Sequence, residues 1–462
     1  MTRTLYTRLV ADCLFPLHER LKGHGSVGLR KALEQSQWLT RDVLQTRCHT
    51  RLQHFLTDVN ASNPYYAEQF RACGLSPSSF GDPQVLLRLP CLTKELIRAN
   101  RDRLLSHSNQ PARFMKTSGS SGHPLEFAVG KERLSHDIAA KWRATRWWGV
   151  DIGDPEAVVW GSDIELGAQG LARQTRDSLI RSRLFPAKNL RGDALLSLFD
   201  RLQNYNPAMI YGYPSILSLL AEAALQQGRR YDAGSLKVIF CTAEKLYDHQ
   251  RQVIEQVFKA PVANGYGSRD AGFIAHECPA GRLHLSAEDI IVEILDDQQN
   301  PVPAGTSGEI VVTHMSTLAF PMIRYRTGDI GRISTEPCTC GRQLPILMDV
   351  IGRANDLLRA TDGSAIHGAF IGNIVREDEA VVQFQFIQHS PRQFELKLVC
   401  RDGAQPELSD LRAKLLDVVG DDAEIAIQHT ATIPVEQNGK FKYIVNRCTA
   451  PPFLAGATEQ SP

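Results

Sequence analysis

Between about residues 111 and 350, short apolar runs rich in β-branched side chains alternate with longer mixed stretches of helical character. Ala157-Val-Val-Trp160, Met209-Ile-Tyr211, Leu236-Lys-Val-Ile-Phe240 and Glu309-Ile-Val-Val-Thr313 are the clearest strand segments. Strands alternating with helices predict an α/β architecture. Ile290–Leu295, an acidic Asp-Asp-Gln-Gln-Asn-Pro turn and Val302 predict a hairpin, continuing as a meander on the flank of the main sheet.

The flanks read differently. Residues 1–110 carry long mixed segments such as Arg41–Val59 with Ser/Thr/Asp starts, and predict a mainly helical N-terminal part of the large domain. Past Gly352 the pattern changes again. Ala380-Val-Val-Gln-Phe-Gln-Phe-Ile387 and Gln393-Phe-Glu-Leu-Lys-Leu-Val399 alternate in strand fashion, and Glu407–Val419 reads as a helix. The expected division is therefore a core over 111–352, a small α+β C-terminal domain over 353–449, and a Pro/Gly/Ala-rich tail over 450–462 that is expected to be disordered.

Composition narrows the function. A chain of 462 residues exceeds a single core, so more than one domain is expected. Lysine and arginine (52) nearly balance aspartate and glutamate (51), and no basic block stands out. That argues against a nucleic-acid or membrane-surface partner and for a small-molecule substrate. No apolar run reaches membrane-spanning length. Leu5–Leu21 is interrupted by Arg8, Asp12 and His18, lacks a small-residue cleavage site, and reads as an amphipathic helix instead of a signal peptide. A cytoplasmic location with free cysteine thiols is the resulting expectation.

The chemistry begins at Thr117-Ser-Gly-Ser-Ser-Gly-His-Pro124, which follows an apparent strand end at Ala112–Lys116. Glycines let the backbone approach an anion, and hydroxyls with free N–H groups donate to phosphate oxygens. The Gly-Lys-Ser/Thr ending of a P-loop is missing. Downstream come Tyr266-Gly-Ser-Arg-Asp270, Arg324-Tyr-Arg-Thr-Gly-Asp329, Gly352-Arg353 and Asn438-Gly-Lys440. Together and in this order they resemble the adenylate-forming superfamily of acyl-CoA synthetases, in particular its phenylacetate–CoA ligase branch and the related capsule-biosynthesis-type proteins. The likeness runs from about Leu39 to Val445.

That resemblance implies a large adenylate-forming domain, a small mobile C-terminal domain, and an ATP- and Mg²⁺-dependent reaction. A carboxylic acid would become an acyl-adenylate with release of pyrophosphate, and CoA would then capture the acyl group. Transfer to a carrier protein, or to an amine or hydroxyl acceptor, is the alternative; a nucleotide-binding scaffold without catalysis is the rival from another class. The resemblance assigns Thr117, Ser118, Gly119, Ser120, Ser121 and Gly122 to the ATP phosphates, and Ala243, Glu244, Tyr266 and Gly267 to the adenine side. Asp329 would accept the ribose hydroxyls, a natural role for a carboxylate facing a vicinal diol. Arg353 would meet the ribose–phosphate, Asn355 would occupy the hinge, and Asp270 would hold Mg²⁺. Asp270 and Asn355 depart from the usual glutamate and aspartate. Lys440 would bridge the substrate carboxylate and the α-phosphate, offsetting charge on two anions brought together. Trp160, Tyr211, Gly212 and Tyr213 resemble the acyl-binding region. The acid itself, the acceptor, and the choice between monomer and homodimer are open.

One group lies outside this scheme. His276-x-Cys278 and Cys338-x-Cys340 supply the four ligands of a tetrahedral zinc site. Each pair follows a proposed nucleotide ligand, Asp270 or Asp329, so the two segments meet if those aspartates share a nucleotide. A filled four-ligand shell leaves no open position, and the zinc would be structural.

Overall fold

The computed structural model describes the chain apart from residues 1–2, 108–111, 118–124, 161–169, 188–192, 233, 354–356, 363–364, 368–370, 373, 376, 379, 402–403, 405, 435–440 and 449–462. A short antiparallel pair, β1 (Arg113–Lys116) and β2 (Glu126–Val129), brackets the Ser/Gly-rich loop. The next strands build one large sheet. They are β3 (Glu156–Trp160), β4 (Ser182–Pro186), β5 (Met209–Gly212), β6 (Val238–Thr242), β7 (Val262–Ser268), β8 (Gly272–Glu277) and β9 (Leu283–Leu285). The sheet is completed by β10 (Ile290–Leu295), β11 (Gly308–His314), β12 (Met322–Ser334) and β13 (Ile346–Arg353).

The spatial order is β10-β11-β12-β13-β9-β8-β7-β6-β5-β3-β4. From β4 to β7 the pairing is parallel; from β7 to β10 it is antiparallel. The apolar run Val238–Thr242 is buried throughout, as a strand covered on both faces requires. The predicted meander is present as β10 to β13, and the α/β class read from the sequence is the observed one.

On one face of the parallel half, helices Asp193–Tyr205, Pro214–Gln226 and Asp248–Phe258 bury Leu198, Leu217 and Ile254 against Ile210 and Ile239. A central helix, Lys131–Trp147, packs against β8 and the N-terminal helix Ser26–Ser36. It is polar in sequence yet buried along most of its length. A buried cation needs a counter-charge, and each has one. Arg133 meets Asp137 at 3.0 Å, Lys141 meets Glu156, Arg143 meets Glu288 at 2.7 Å, and Arg146 meets Asp151 at 2.7 Å.

The small lobe holds the hairpin β14 (Leu357–Arg359) and β15 (Ala365–His367). Beside it lie β16 (Val381–Ser390), β17 (Gln393–Cys400), β18 (Glu424–His429) and β19 (Ile444–Asn446), in the order β18-β17-β16-β19. Helix Leu408–Val419 sets Leu411, Leu415 and Val419 on Phe384, Phe386, Leu396 and Leu398. Among the described residues no helix is long and apolar enough to cross a membrane.

Candidate active site

The C-terminal ends of the parallel strands and the neighbouring β7–β8 and β12–β13 hairpins gather the predicted nucleotide residues. Tyr266, near the end of β7, donates its hydroxyl to Asp329 Oδ2 at 2.8 Å. Asp329 lies directly opposite Arg353 across the β12–β13 ladder, which puts the proposed ribose and phosphate contacts side by side along the backbone. Gly267 is obligatory: a Cβ there would stand 2.2 Å from the carbonyl oxygen of Gly272.

Asp270, in the turn between β7 and β8, is buried, and its two oxygens accept from the Ser268 and Tyr325 hydroxyls. Burial pushes its carboxyl upward, but those two donors and Lys94 outweigh it and hold the group below the ordinary carboxylate range. Arg133 of the central helix fixes this turn by donating to the carbonyls of Asp270 and Arg269. Arg269 in turn donates to the Lys116 carbonyl at 3.0 Å. Thr117 closes the base of the Ser/Gly loop: its N–H donates to the Leu125 carbonyl and its Oγ1 accepts from the Leu125 N–H, each at 2.9 Å. Ser118, Gly119, Ser120, Ser121 and Gly122 lie outside the described residues, as do Asn355 and Lys440.

Ala243 follows β6 with φ +69°, a conformation that costs a non-glycine residue energy and marks a constrained turn. The turn presents Glu244, whose Oε2 accepts from Ser215 N at 3.2 Å and whose Oε1 accepts from Phe441 N at 3.3 Å. Lys245 donates to the Ile351 carbonyl at 2.6 Å, and Gln250 reaches the Tyr443 hydroxyl at 3.4 Å. The small lobe is thus held over the strand ends, with Phe441, the residue after Lys440, on Glu244.

The aromatic residues predicted for the acyl pocket assemble. Trp160 stacks on Tyr211 at 6.0 Å and meets Tyr213 at 4.1 Å between ring centres. Gly212 has no room for a side chain, since a Cβ would lie 2.9 Å from the Val159 carbonyl oxygen. Lys141 Nζ sits 4.9 Å from the centre of the Tyr211 ring.

The metal-ligand quartet differs from the expected one by a residue. Cys278, Cys338 and Cys340 converge with His284, all ligand atoms lying within 4.8 Å of one another; His276 is not among them. His284 Nδ1 lies 3.1 Å from the Leu344 carbonyl, which can only accept, so Nδ1 carries the proton. The lone pair of Nε2 then points at Cys340 Sγ, 3.3 Å away. That is the orientation a zinc-ligating histidine takes. His276 is the direct cross-strand partner of His284, but its ring stacks on Phe273 over Gly265. Burial, with Arg143 and His136 adding to it, pushes its pKa down to about 3 and keeps it neutral. Backbone turns at Cys278–Gly281 and Cys338–Gly341 present the sulfurs, and Trp147 caps the group edge-on to His284 at 5.8 Å. Burial pushes the Cys278 thiol up to about 12. At Cys340 burial also raises the value, but donors from Arg342 bring it below that of a free thiol. This donor set fits zinc: three thiols, one oriented imidazole and backbone N–H groups at the sulfurs.

Residues that pattern reasoning passed over are His284, Arg133 and Tyr325. Only the β8–β9 register reveals His284. Arg133 looks like any surface lysine or arginine of a polar helix until that helix is seen to be buried.

Residues 184–319 match the family of AMP-binding enzymes, and residues 358–447 match the CapK C-terminal domain. Protein CapK of Staphylococcus aureus is 23% identical over 401 residues, covering 86% of this chain and 88% of that protein. A phenylacetate-coenzyme A ligase of Thermus thermophilus is 25% identical over 327 residues, covering 69% and 72%. Among solved structures, 2-hydroxyisobutyryl-CoA ligase in the postadenylation state superposes with a TM-score of 0.74 at 19% identity, over 88% of this chain and 90% of that one. The same ligase in its thioesterification state gives 0.60 at 20% identity, over 88% and 91%.

Proposed function

We propose, for a chain that belongs to the adenylate-forming AMP-binding superfamily in its phenylacetate–CoA ligase-like and capsule-type branch, that it activates a small carboxylic acid with ATP and transfers the acyl group to CoA. The observation that carries this reading is the convergence of Asp329, the Asp270 turn, the base of the Thr117 loop and the Glu244–Phe441 contact at one end of the sheet.

In the first step a carboxylate oxygen attacks the α-phosphorus and pyrophosphate leaves. Both reactants are anions, so positioning and charge neutralisation dominate over acid–base chemistry. Asp329, held by Tyr266, is suited to the ribose diol. The Thr117–Gly122 loop and Arg353 would take phosphates, and Ala243 with Glu244 would border the adenine. Lys440, directly before the Phe441 N–H that Glu244 accepts, would meet the two reacting anions. Asp270 accepts from two hydroxyls, and a carboxylate with about four lone-pair sites retains room for a Mg²⁺ ion; the ion would screen the phosphates. In the second step the CoA sulfur attacks the acyl carbon and AMP leaves, after the small lobe turns about the segment containing Asn355. Trp160, Tyr211, Gly212 and Tyr213 would line the acyl pocket. Zinc, held by Cys278, His284, Cys338 and Cys340, would be a closed structural site. All ten cysteines are free thiols, which suits the cytoplasm.

The test is pyrophosphate release from ATP and Mg²⁺ over aryl, fatty, hydroxy and amino acids, with and without CoA. Acid-dependent release with CoA-dependent turnover supports the ligase; acid-dependent release without CoA dependence assigns a different acceptor. Lys440→Ala should suppress release while ATP binding survives. Nucleotide binding without release for any acid would leave the scaffold reading instead.

A further inference from the structure

The central helix carries Arg133, Asp137 and Lys141 at successive helical turns on one face. Arg133 reaches the carbonyls of the Asp270 turn, and Lys141 lies over the Tyr211 ring. Asp137 stands between them, roughly 6 Å along the helix from each. Its side chain keeps 24% exposure, like that of Lys141 at 22%, whereas Arg133 is closed off at 3%. On the proposed reading, an acid whose carboxylate met the α-phosphate near the Asp270 turn and whose chain ran towards Tyr211 would pass Asp137, the helical turn between the two contacts.

Behind Asp137 lie two wholly buried histidines. The side-chain ligand atoms of Asp137, His136 and His314 fall within 4.8 Å of one another, and the two rings meet edge-on at 4.7 Å. A second metal site is the first reading of such a group, and tautomer chemistry rules it out. His314 Nδ1 accepts from Ser316 N–H at 3.2 Å, so the neutral ring carries its proton on Nε2 and has no lone pair there to offer. Burial, then Arg133 and His136, keep this ring neutral by holding its pKa far below the ordinary value. The result is a fixed N–H donor with no acceptor among the described residues, and both nitrogens of His136 are likewise without a hydrogen-bond partner there. His136 lies 3.8 Å from Asp137 and 3.7 Å from Asp289, beyond hydrogen-bond distance of either.

The cluster offers acceptors on Asp137 beside donors on histidine. Asp137 is already neutralised by Arg133, whose Nε lies 3.0 and 3.1 Å from its two oxygens. A substrate ammonium would enter as an extra cation between Arg133 and Lys141, and a second carboxylate would face Asp137. A hydroxyl both donates and accepts without adding charge. We propose that Asp137, with His136 and His314 behind it, forms a polar notch in the acyl pocket that selects a carboxylic acid bearing a neutral hydroxyl group. This rests on the reading of the chain as a carboxylate-activating enzyme.

The test is ATP–pyrophosphate exchange by the full-length wild-type chain on matched acids. Four-carbon, six-carbon and benzoic acids are each supplied unsubstituted, hydroxylated at successive positions, aminated, and as the dicarboxylate. Within the best set, a hydroxy acid should exceed its unsubstituted parent in kcat/KM by about tenfold or more, corresponding to ~1.4 kcal/mol. Asp137→Ala, and the near-isosteric Asp137→Asn should the first not fold, should lower that hydroxy-to-parent ratio by about tenfold. Wild-type preference for the parent, amino or dicarboxylic member overturns the notch and leaves carboxylate activation standing. An unchanged ratio in a folded Asp137 variant does the same. Silence with every acid overturns the activation reading, and the notch with it.

Discussion

Glu244 joins the two lobes: its carboxylate accepts from Ser215 N in the large domain and from Phe441 N in the small one. A side chain that binds both lobes as they stand here stabilises this arrangement over any other. Hydrogen bonds to a charged group are worth about 1.5–3 kcal/mol. Glu244→Ala should therefore slow adenylate formation by roughly 10- to 100-fold. On the proposal that the small lobe turns away before the second step, reaction of preformed acyl-adenylate with CoA should be spared. Single-turnover measurement of each half-reaction separates the two, and equal slowing of both would remove the latch role.

His276 and His284 make opposite predictions although they face each other across β8 and β9. The purified protein should contain about one zinc per chain. His284→Ala should lose the metal and lower the melting temperature, since a structural zinc contributes directly to folding. His276→Ala should retain the metal while losing some core packing. Elemental analysis of the three proteins decides it, and zinc retained by the His284 variant would reject the ligand set.

The alternation of β-rich and helical runs was enough to read the α/β class, because β5 and β6 sit in a parallel sheet covered on both faces, where a strand reads as a short continuous apolar run. The proposed nucleotide residues were named through the order of their motifs, and the structure brings two of them together: Tyr266, near the end of β7, bonds Asp329 inside β12. Three features were not. The central helix has a polar composition that reads as a surface helix, and only tertiary pairing shows that its charges are matched internally. His284 enters the cysteine cluster through strand register, a property of the pairing and not of either strand alone. Tyr266 was expected on the adenine side for its ring; the bond of its hydroxyl to Asp329 is a further contact that the residue's identity alone does not reveal.

Buried His314 gives stability a defined pH dependence. Its folded pKa lies well below the ordinary value, so the native ring stays neutral while the unfolded chain binds a proton near pH 6.5. Its contribution is fully present above that pH. It is lost as pH falls, at up to about 1.4 kcal/mol per pH unit, until the native ring also protonates. His314→Asn keeps an acceptor for Ser316 N and removes the titration. The variant should be less stable at pH 8 and show a shallower decline in melting temperature between pH 6.5 and 5. Parallel acid limbs for the two proteins would show that this histidine does not carry the effect.

Gly267 tests whether the β7–β8 hairpin positions the nucleotide residues as a unit. An added Cβ would lie 2.2 Å from the Gly272 carbonyl oxygen and 3.3 Å from Ile274 N, both rigid backbone atoms. The hairpin must open to admit it, which costs about 1–3 kcal/mol. Opening carries Tyr266 away from Asp329 on one side and shifts the Asp270 turn held by Arg133 on the other. Gly267→Ala should thus lower the melting temperature and raise the KM for ATP together. Gly234→Ala is the control, because nothing lies within 4 Å of its added Cβ, and its stability should stay within about 0.5 kcal/mol of the wild type. A Gly267 variant that loses stability but keeps its KM for ATP would separate the hairpin from the nucleotide site.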